Sequence, residues 1–202
     1  MAKCSYCVLP LKSIKMKKYI ILVSIVFFLS CKQKPTFQKE ILGNWKSVSV
    51  ENMNGTYGFR EFSFDENKWE VKFTLFTDEQ MKNPVFTFKG IGSYNYQDQS
   101  KNLENTANYI FGFDKKFMTL KTADTLVAKN FGLSSLILNQ ETDVTKDGIS
   151  FIESKSACDK EFDLVSIKND TLFLGKRPEQ GKNLCQEKFR PTTLGLPITR
   201  IK

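Results

Sequence analysis

The sequence predicts an all-β fold, an antiparallel meander closed into a barrel or a strongly curved half-barrel. Three observations predict it. Apolar and polar residues alternate with period two through most of the chain from Ile41 onward, as in strands with one face on a core and one in water. Turn-forming residues separate these runs at fairly regular intervals. Helical periodicity is scarce, and no repeat or second domain interrupts the pattern.

The strand runs follow in order. Phe62 and Phe64 alternate with Glu61, Ser63 and Asp65, and Trp69, Val71, Phe73 and Leu75 face away from Glu70, Lys72 and Thr74. Phe86, Phe88, Gly90, Gly92, Tyr94 and Tyr96 extend one face through a long run; Ala107, Tyr109, Phe111 and Phe113 repeat it. Residues 163–167 and 171–175 form the cleanest hairpin, and 198–201 the last strand. Asn54-Gly55, Asp65-Glu66-Asn67, Asp114-Lys115, Asp147-Gly148 and Lys168-Asn169-Asp170 read as the turns, because these residues tolerate turn backbone angles. Residues 122–138 fit either a short helix at a barrel end or a strand and a loop; Leu126, Val127 and Phe131 do not decide it. The β domain is assigned to residues 41–202.

Composition narrows the function. The formal charge is +8, from 30 basic and 22 acidic residues. Lys3, Lys12, Lys15, Lys17 and Lys18 precede residue 31 and no acid does, which leaves 25 basic against 22 acidic residues, a balance of +3. That charge contains no basic run, so nucleic acid is not expected as a partner. Histidine is absent, which excludes Ser-His-Asp and Cys-His nucleophiles and removes the commonest zinc ligand. Carboxylates are scattered without an acid–base pair. Asp143, Asp147 and Gly148 faintly suggest a calcium loop, but its other oxygen ligands are missing. No catalytic residue, metal or cofactor is expected, and the chain is not read as an enzyme.

Residues 16–30 read as a leader. Lys17 and Lys18 precede the apolar stretch 19–29, broken only by Ser24. Eleven residues are too few to span a bilayer, which takes about 20 as a helix, but suit a signal-peptide core. Phe28-Leu29-Ser30-Cys31 resembles the lipobox of bacterial lipoproteins, with Phe28 where leucine is usual. The resemblance implies cleavage before Cys31 and lipidation of its thiol. The plainer alternatives are a secretory leader with an unrelated cysteine, or an apolar core helix. Residues 31–40, beginning Cys31-Lys32-Gln33-Lys34-Pro35-Thr36, read as a polar tether. Residues 1–15 fit poorly ahead of Met16 and read as a misassigned start or an extended n-region; Cys4 and Cys7 there receive no function. The expected partner is a membrane, held through the N-terminal lipid. The expected location is the cell envelope, at the outer membrane facing the periplasm, since Lys32 does not resemble the aspartate linked to inner-membrane retention.

Beyond Cys31, Cys158 and Cys185 are then the only cysteines of the exported part. An even pair in an oxidising compartment suggests one disulfide; two buried thiols are the alternative.

Gly43-Asn44-Trp45 opens the first strand. A G-x-W there resembles the lipocalin superfamily, in which the Trp closes the bottom of an eight-stranded barrel. The resemblance implies that Arg200, on the last strand, packs over the Trp45 ring, a cation–π contact of about 0.5–2 kcal/mol. A closer resemblance, over most of residues 41–202, is to the adenomatosis-polyposis-coli down-regulated family of lipocalin-like β domains. Its carriers are Gly43-Asn44-Trp45-Lys46-Ser47, Arg60 ahead of Phe62 and Phe64, Trp69, and Gly92-Ser93-Tyr94. Leu174-Gly175-Lys176-Arg177 and Arg190-Pro191-Thr192-Thr193-Leu194 complete them near the end. Glu51 is kept, but Val50 stands where the family has a cysteine, so the disulfides of the animal members are not carried over. The resemblance implies binding of a lipid or acyl chain within the sheet.

The residues offer a counterpart. Of 18 phenylalanines, only Phe27 and Phe28 belong to the leader. Trp69, Phe73, Phe88, Tyr94, Tyr109 and Phe111 could line a cavity for a small apolar ligand. The same aromatics could equally fill the barrel, whose interior is narrow at eight strands. In that case the protein is an interaction module, inhibitor or scaffold using loops on a packed barrel. Tyr94 and Tyr96 could form a stacking surface. Lys176, Arg177, Lys188 and Arg190 give the C-terminal region a basic bias, suited to anionic lipid headgroups or simply a solvated face.

Overall fold

The computed structural model describes residues 36–178 and 182–201. The leader, Cys31 and the first part of the tether lie outside the described residues. The chain runs α1 (Thr36–Glu40), β1 (Gly43–Ser47), β2 (Glu51–Asn52), β3 (Tyr57–Phe64), β4 (Lys68–Phe76), β5 (Pro84–Gln99), β6 (Thr106–Gly112) and β7 (Lys115–Leu120). It continues through α2 (Thr125–Asn130), β8 (Glu141–Asp143), β9 (Lys160–Lys168), β10 (Thr171–Gly175), a 3-10 turn (Glu187–Phe189) and β11 (Leu194–Arg200). Residues 36–40 are thus helical rather than tether. Ile41 N–H donates to Phe37 O at 3.1 Å, and Phe37 packs on the core.

Eight strands close an antiparallel barrel in the order β1-β3-β4-β5-β6-β9-β10-β11 and back to β1. Each wall strand pairs with the wall strand next in the chain, the connectivity of a meander. Turn chemistry sets the registers. Asn54 and Gly55 take φ of 57° and 91°, and Asn169 and Asp170 take 50° and 57°, the paired positive angles that favour Asn, Asp and Gly in tight hairpins. The Asp65 carboxylate accepts from Asn67 N at 2.9 Å and Lys68 N at 2.6 Å and so folds the β3–β4 turn.

Asp114-Lys115 is a bend and not the chain reversal expected there. β6 and β7 lie end to end on one edge of β5, where Tyr94 pairs with Phe111 and Ile91 with Lys115. At this kink the backbones nearly touch. A Cβ on Gly92 would stand 1.9 Å from Gly112 O, so only glycine fits.

The bend decides the architecture. β9 pairs with β6 and stops opposite Gly112, whereas β7 turns away and pairs with β8. The barrel is therefore closed beside β6 and splayed beside β7. The segment from β7 to β9 covers the splayed end. It begins with the six-residue α2, whose N-terminus is capped by Asp124 accepting from Leu126 N and Val127 N. A short helix is thus the outcome for part of 122–138. Lys116, 2% exposed, fastens the far end of the cover, donating to the carbonyls of Glu153 and Cys158 at 2.8 Å each.

Candidate binding site

The barrel interior has two unlike halves. In the closed half Tyr109 stacks on Phe111 at 5.9 Å and on Tyr94 at 6.3 Å, and Phe64 meets Tyr94 edge-on at 5.3 Å. Tyr109 and Phe111 are buried, so the rings here pack on one another rather than line an open surface. In the splayed half lies a hollow of about 320 Å3, floored by Trp69, Val71, Phe73, Phe88 and Phe113. Such a volume is at the lower end of ligand sites, which span roughly 300–1,000 Å3. Trp69 separates the halves: its ring touches Phe111 at 4.8 Å and Phe113 at 5.4 Å, and its Nε1 donates to Gly112 O at 2.8 Å.

The six aromatics expected to form one lining are therefore divided. Trp69, Phe73 and Phe88 line the hollow, while Tyr94, Tyr109 and Phe111 fill the closed half. The division follows from the kink, because positions in phase along β5 and β6–β7 share a face but not a level. The Tyr94 hydroxyl donates to Asp65 O, and burial pushes its pKa up to about 12. It is thus a tie to the β3–β4 turn, not a group free to meet a ligand.

The cover supplies the hollow's outer lip. Phe151 and Ile152 line it; Phe151 packs on Phe86 at 5.0 Å and is 45% exposed. Met53, 43% exposed, is a further apolar residue of the lining, just beyond β2. An aromatic and a thioether side chain thus stand between the hollow and water.

Three ionisable side chains, Arg60, Glu161 and Arg177, complete the lining. Arg60 pairs with Glu51 at 2.6 Å, and Arg177 with Glu161 at 2.8 Å. Burial and the like charge of Arg177 pull the Arg60 pKa below its ordinary value. Burial pulls Arg177 down too, but Glu161 and Asp163 outweigh it and hold it above its ordinary value. Asp163 lies behind this wall, fully buried, with Oδ1 accepting from Leu164 N at 2.7 Å and Gly175 N at 2.9 Å. The arrangement is an apolar floor facing a polar, internally paired wall, which suits a ligand with one apolar and one polar end.

The sequence does not mark Arg60 or Glu161 as site residues, and it offers Arg177 only as part of the basic bias of the C-terminal region. A signal was there. Arg60 is in phase with Phe62 and Phe64 and is a charge on an otherwise apolar face, while Glu161 and Asp163 precede Val165 and Ile167 in one phase.

The remaining candidates are located as follows. Arg200 lies over the Trp45 ring, 4.1 Å from its centroid, with the two residues paired across β1 and β11. Cys158 and Cys185 form a disulfide. The Asp143 carboxylate is occupied by Lys115 and Thr145, which hold it well below the usual carboxylate range. Among the described residues no group of three or more His, Cys, Asp or Glu comes together. No protein-family model matches the chain, and a search of curated proteins finds no relative.

Proposed function

We propose that this is a lipid-anchored envelope protein that holds a small apolar or amphipathic molecule, of the acyl-chain type, in the splayed half of its barrel. One observation carries the ligand reading. An open hollow of about 320 Å3 with an aromatic floor lies beside a stacked core, a concave and mainly apolar surface of the kind that ligand sites present. Apolar surface left open inside a barrel gains by accepting an apolar guest. The Cys31 leader pattern supports the anchor, and lipid on Cys31 would hold the hollow near a membrane, the usual source of acyl chains.

Native mass spectrometry of protein purified from membranes tests the ligand. One bound amphiphile per chain, or uptake of one dodecanoate, is expected; an unliganded mass that takes up no dodecanoate sinks the reading. Metabolic labelling with an alkynyl fatty acid tests the anchor, with label expected on the wild type and absent from Cys31→Ala.

A second reading, an interaction module in the envelope, is favoured by Leu126, Ile137 and Leu138. These side chains of the cover are 65%, 64% and 43% exposed. Pull-down from envelope extract separates the two readings: one stoichiometric protein partner together with an empty hollow supports the second.

A further inference from the structure

Arg177 belongs to two cavities. It lines the aromatic hollow together with Glu161, and it also lines a second, open pocket of about 340 Å3. Its described lining is residues 176–178, 182 and 188–193. Among its described lining residues every charged group is basic: Lys176, Arg177, Lys182, Lys188 and Arg190, with the Thr192 hydroxyl beside them. A concave surface of one sign concentrates counter-ions.

These cations are not equivalent. Arg190 is structural. Its guanidinium donates to Tyr109 O at 3.0 Å and Asp163 O at 2.8 Å, binds Gln97 and meets Glu187 at 3.5 Å, so it offers no free fork and its charge is partly offset. Arg177 is held by Glu161. Lys176 and Lys188 are exposed at the rim, the latter with its ammonium 4.8 Å from the Phe189 ring. Exposed ammonium groups on flexible stems suit a compact anion with several acceptor oxygens, such as a phosphate ester, better than a single carboxylate met by one fork.

We infer that the ligand is an amphiphile with a phosphate-type head, its chain in the aromatic hollow and its head in the basic pocket, joined past Arg177. This assignment rests on the proposed apolar-ligand function and names the headgroup for it. Arg177 and Glu161 are the threshold: the ion pair keeps the neck of the site polar, where the glycerol or ester part of such a molecule would lie.

Titration calorimetry of the full chain tests it with three probes: dodecyl phosphate, uncharged dodecyl glycerol ether, and inorganic phosphate. Dodecyl phosphate is expected to bind about tenfold or more tightly than the neutral ether, with a preference that weakens as salt rises. The Lys176→Gln/Lys188→Gln variant, altered at exposed positions, is expected to remove that preference and leave ether binding unchanged. Equal binding of ester and ether by wild type and variant overturns the headgroup assignment while the apolar-ligand reading stands. Inorganic phosphate binding as tightly as the ester would make this a free-anion site and overturn the link to the hollow. Failure of both amphiphiles to bind removes the apolar-ligand reading itself, and the headgroup assignment with it.

Discussion

Arg200 closes the barrel over Trp45: its guanidinium lies 4.1 Å from the ring centroid, donates to Glu40 O at 2.7 Å and to Leu42 O, and meets Asp170 at 3.1 Å. One side chain thus ties the last strand to the first and to the turn after α1. A charged donor on a carbonyl is worth about 1.5–3 kcal/mol and the ring contact about 0.5–2 kcal/mol, though contributions in one cluster do not simply add. Arg200→Met is expected to lower stability by about 2–4 kcal/mol in urea unfolding, and Arg200→Lys to recover part of it. A loss below about 0.5 kcal/mol, the usual range for surface changes, would mean that the latch is incidental.

The Cys158–Cys185 bridge spans 27 residues and encloses β9 and β10. Closing such a loop contributes about 3–4 kcal/mol in the chain-entropy account. For a domain of this size reduction should lower Tm by roughly 10 °C. Because Lys116 holds the Cys158 carbonyl, amides of the 144–158 cover are expected to exchange faster once the bridge is cut. Calorimetry with and without reductant measures the first effect and hydrogen exchange the second; unchanged exchange in the cover would show that Lys116 alone secures it.

Asp163 gives stability an unusual pH slope. Burial pushes its carboxyl up to about 6, although Arg177 and the amides of Leu164 and Gly175 pull the other way. In the unfolded chain an aspartate titrates near 3.9, so between about pH 4 and 6 the folded state binds more protons than the unfolded one. Stability from this group is full below pH 4 and is lost as pH rises through 6, a change on the order of 2–3 kcal/mol. Asp163→Asn cannot titrate and should lack this slope. Its stability relative to wild type is expected to rise from pH 4 to 6 and to level off above about pH 7. Parallel curves for the two proteins would show that the carboxyl is ionised at its ordinary pKa.

Much of this fold is written in period two, and what is not has a physical reason. The wall strands are legible because one face of each is buried, as at Trp69, Val71 and Leu75, and a one-residue slip would expose every such side chain. The β6–β7 bend is not legible. Its cause is the close approach of Gly92 to Gly112, 20 positions apart, while locally Asp114-Lys115 has the chemistry of an ordinary turn. The bend divides the expected cavity, since it puts Phe111 in the closed half while Phe113, two residues on, reaches the hollow. The charged wall was half legible. Arg60 breaks the apolar phase of Phe62 and Phe64 visibly, but its pairing with Glu51, and that of Glu161 with Arg177, depends on strand order, which alternation does not encode.

The Tyr109 hydroxyl finds no hydrogen-bond partner among the described residues although the residue is fully buried. Burial, with Tyr94 and Tyr96 beside it, holds its pKa well above the ordinary phenol value, so it stays protonated. An unpaired buried polar group costs about 1–3 kcal/mol. Tyr109→Phe removes that cost and keeps the stacking with Phe111 and the edge contact with Tyr96 at 5.8 Å. The substitution is expected to leave stability unchanged or raise it by about 1 kcal/mol, against the usual direction of core changes. A loss above about 1 kcal/mol would show that the hydroxyl has a partner, an ordered water being the natural one.

The two halves of the interior should respond oppositely to substitution. Val71 points from β4 into the hollow and is 6% exposed, so Val71→Phe places its added ring in space that is otherwise open. Overpacking a full core costs about 1–3 kcal/mol; filling a hollow should cost less, and stability is expected to stay within about 1 kcal/mol of wild type. Dodecanoate uptake should fall about tenfold or more, because guest and ring compete for the same volume. Phe111→Leu, in the closed half, should do the reverse, losing about 1–2 kcal/mol as the stack with Tyr109 is broken while uptake is kept. Calorimetric binding and urea unfolding on both variants decide it. Normal uptake by Val71→Phe would place the guest elsewhere, and loss of uptake in a folded Phe111→Leu would mean that the stacked half opens to admit it.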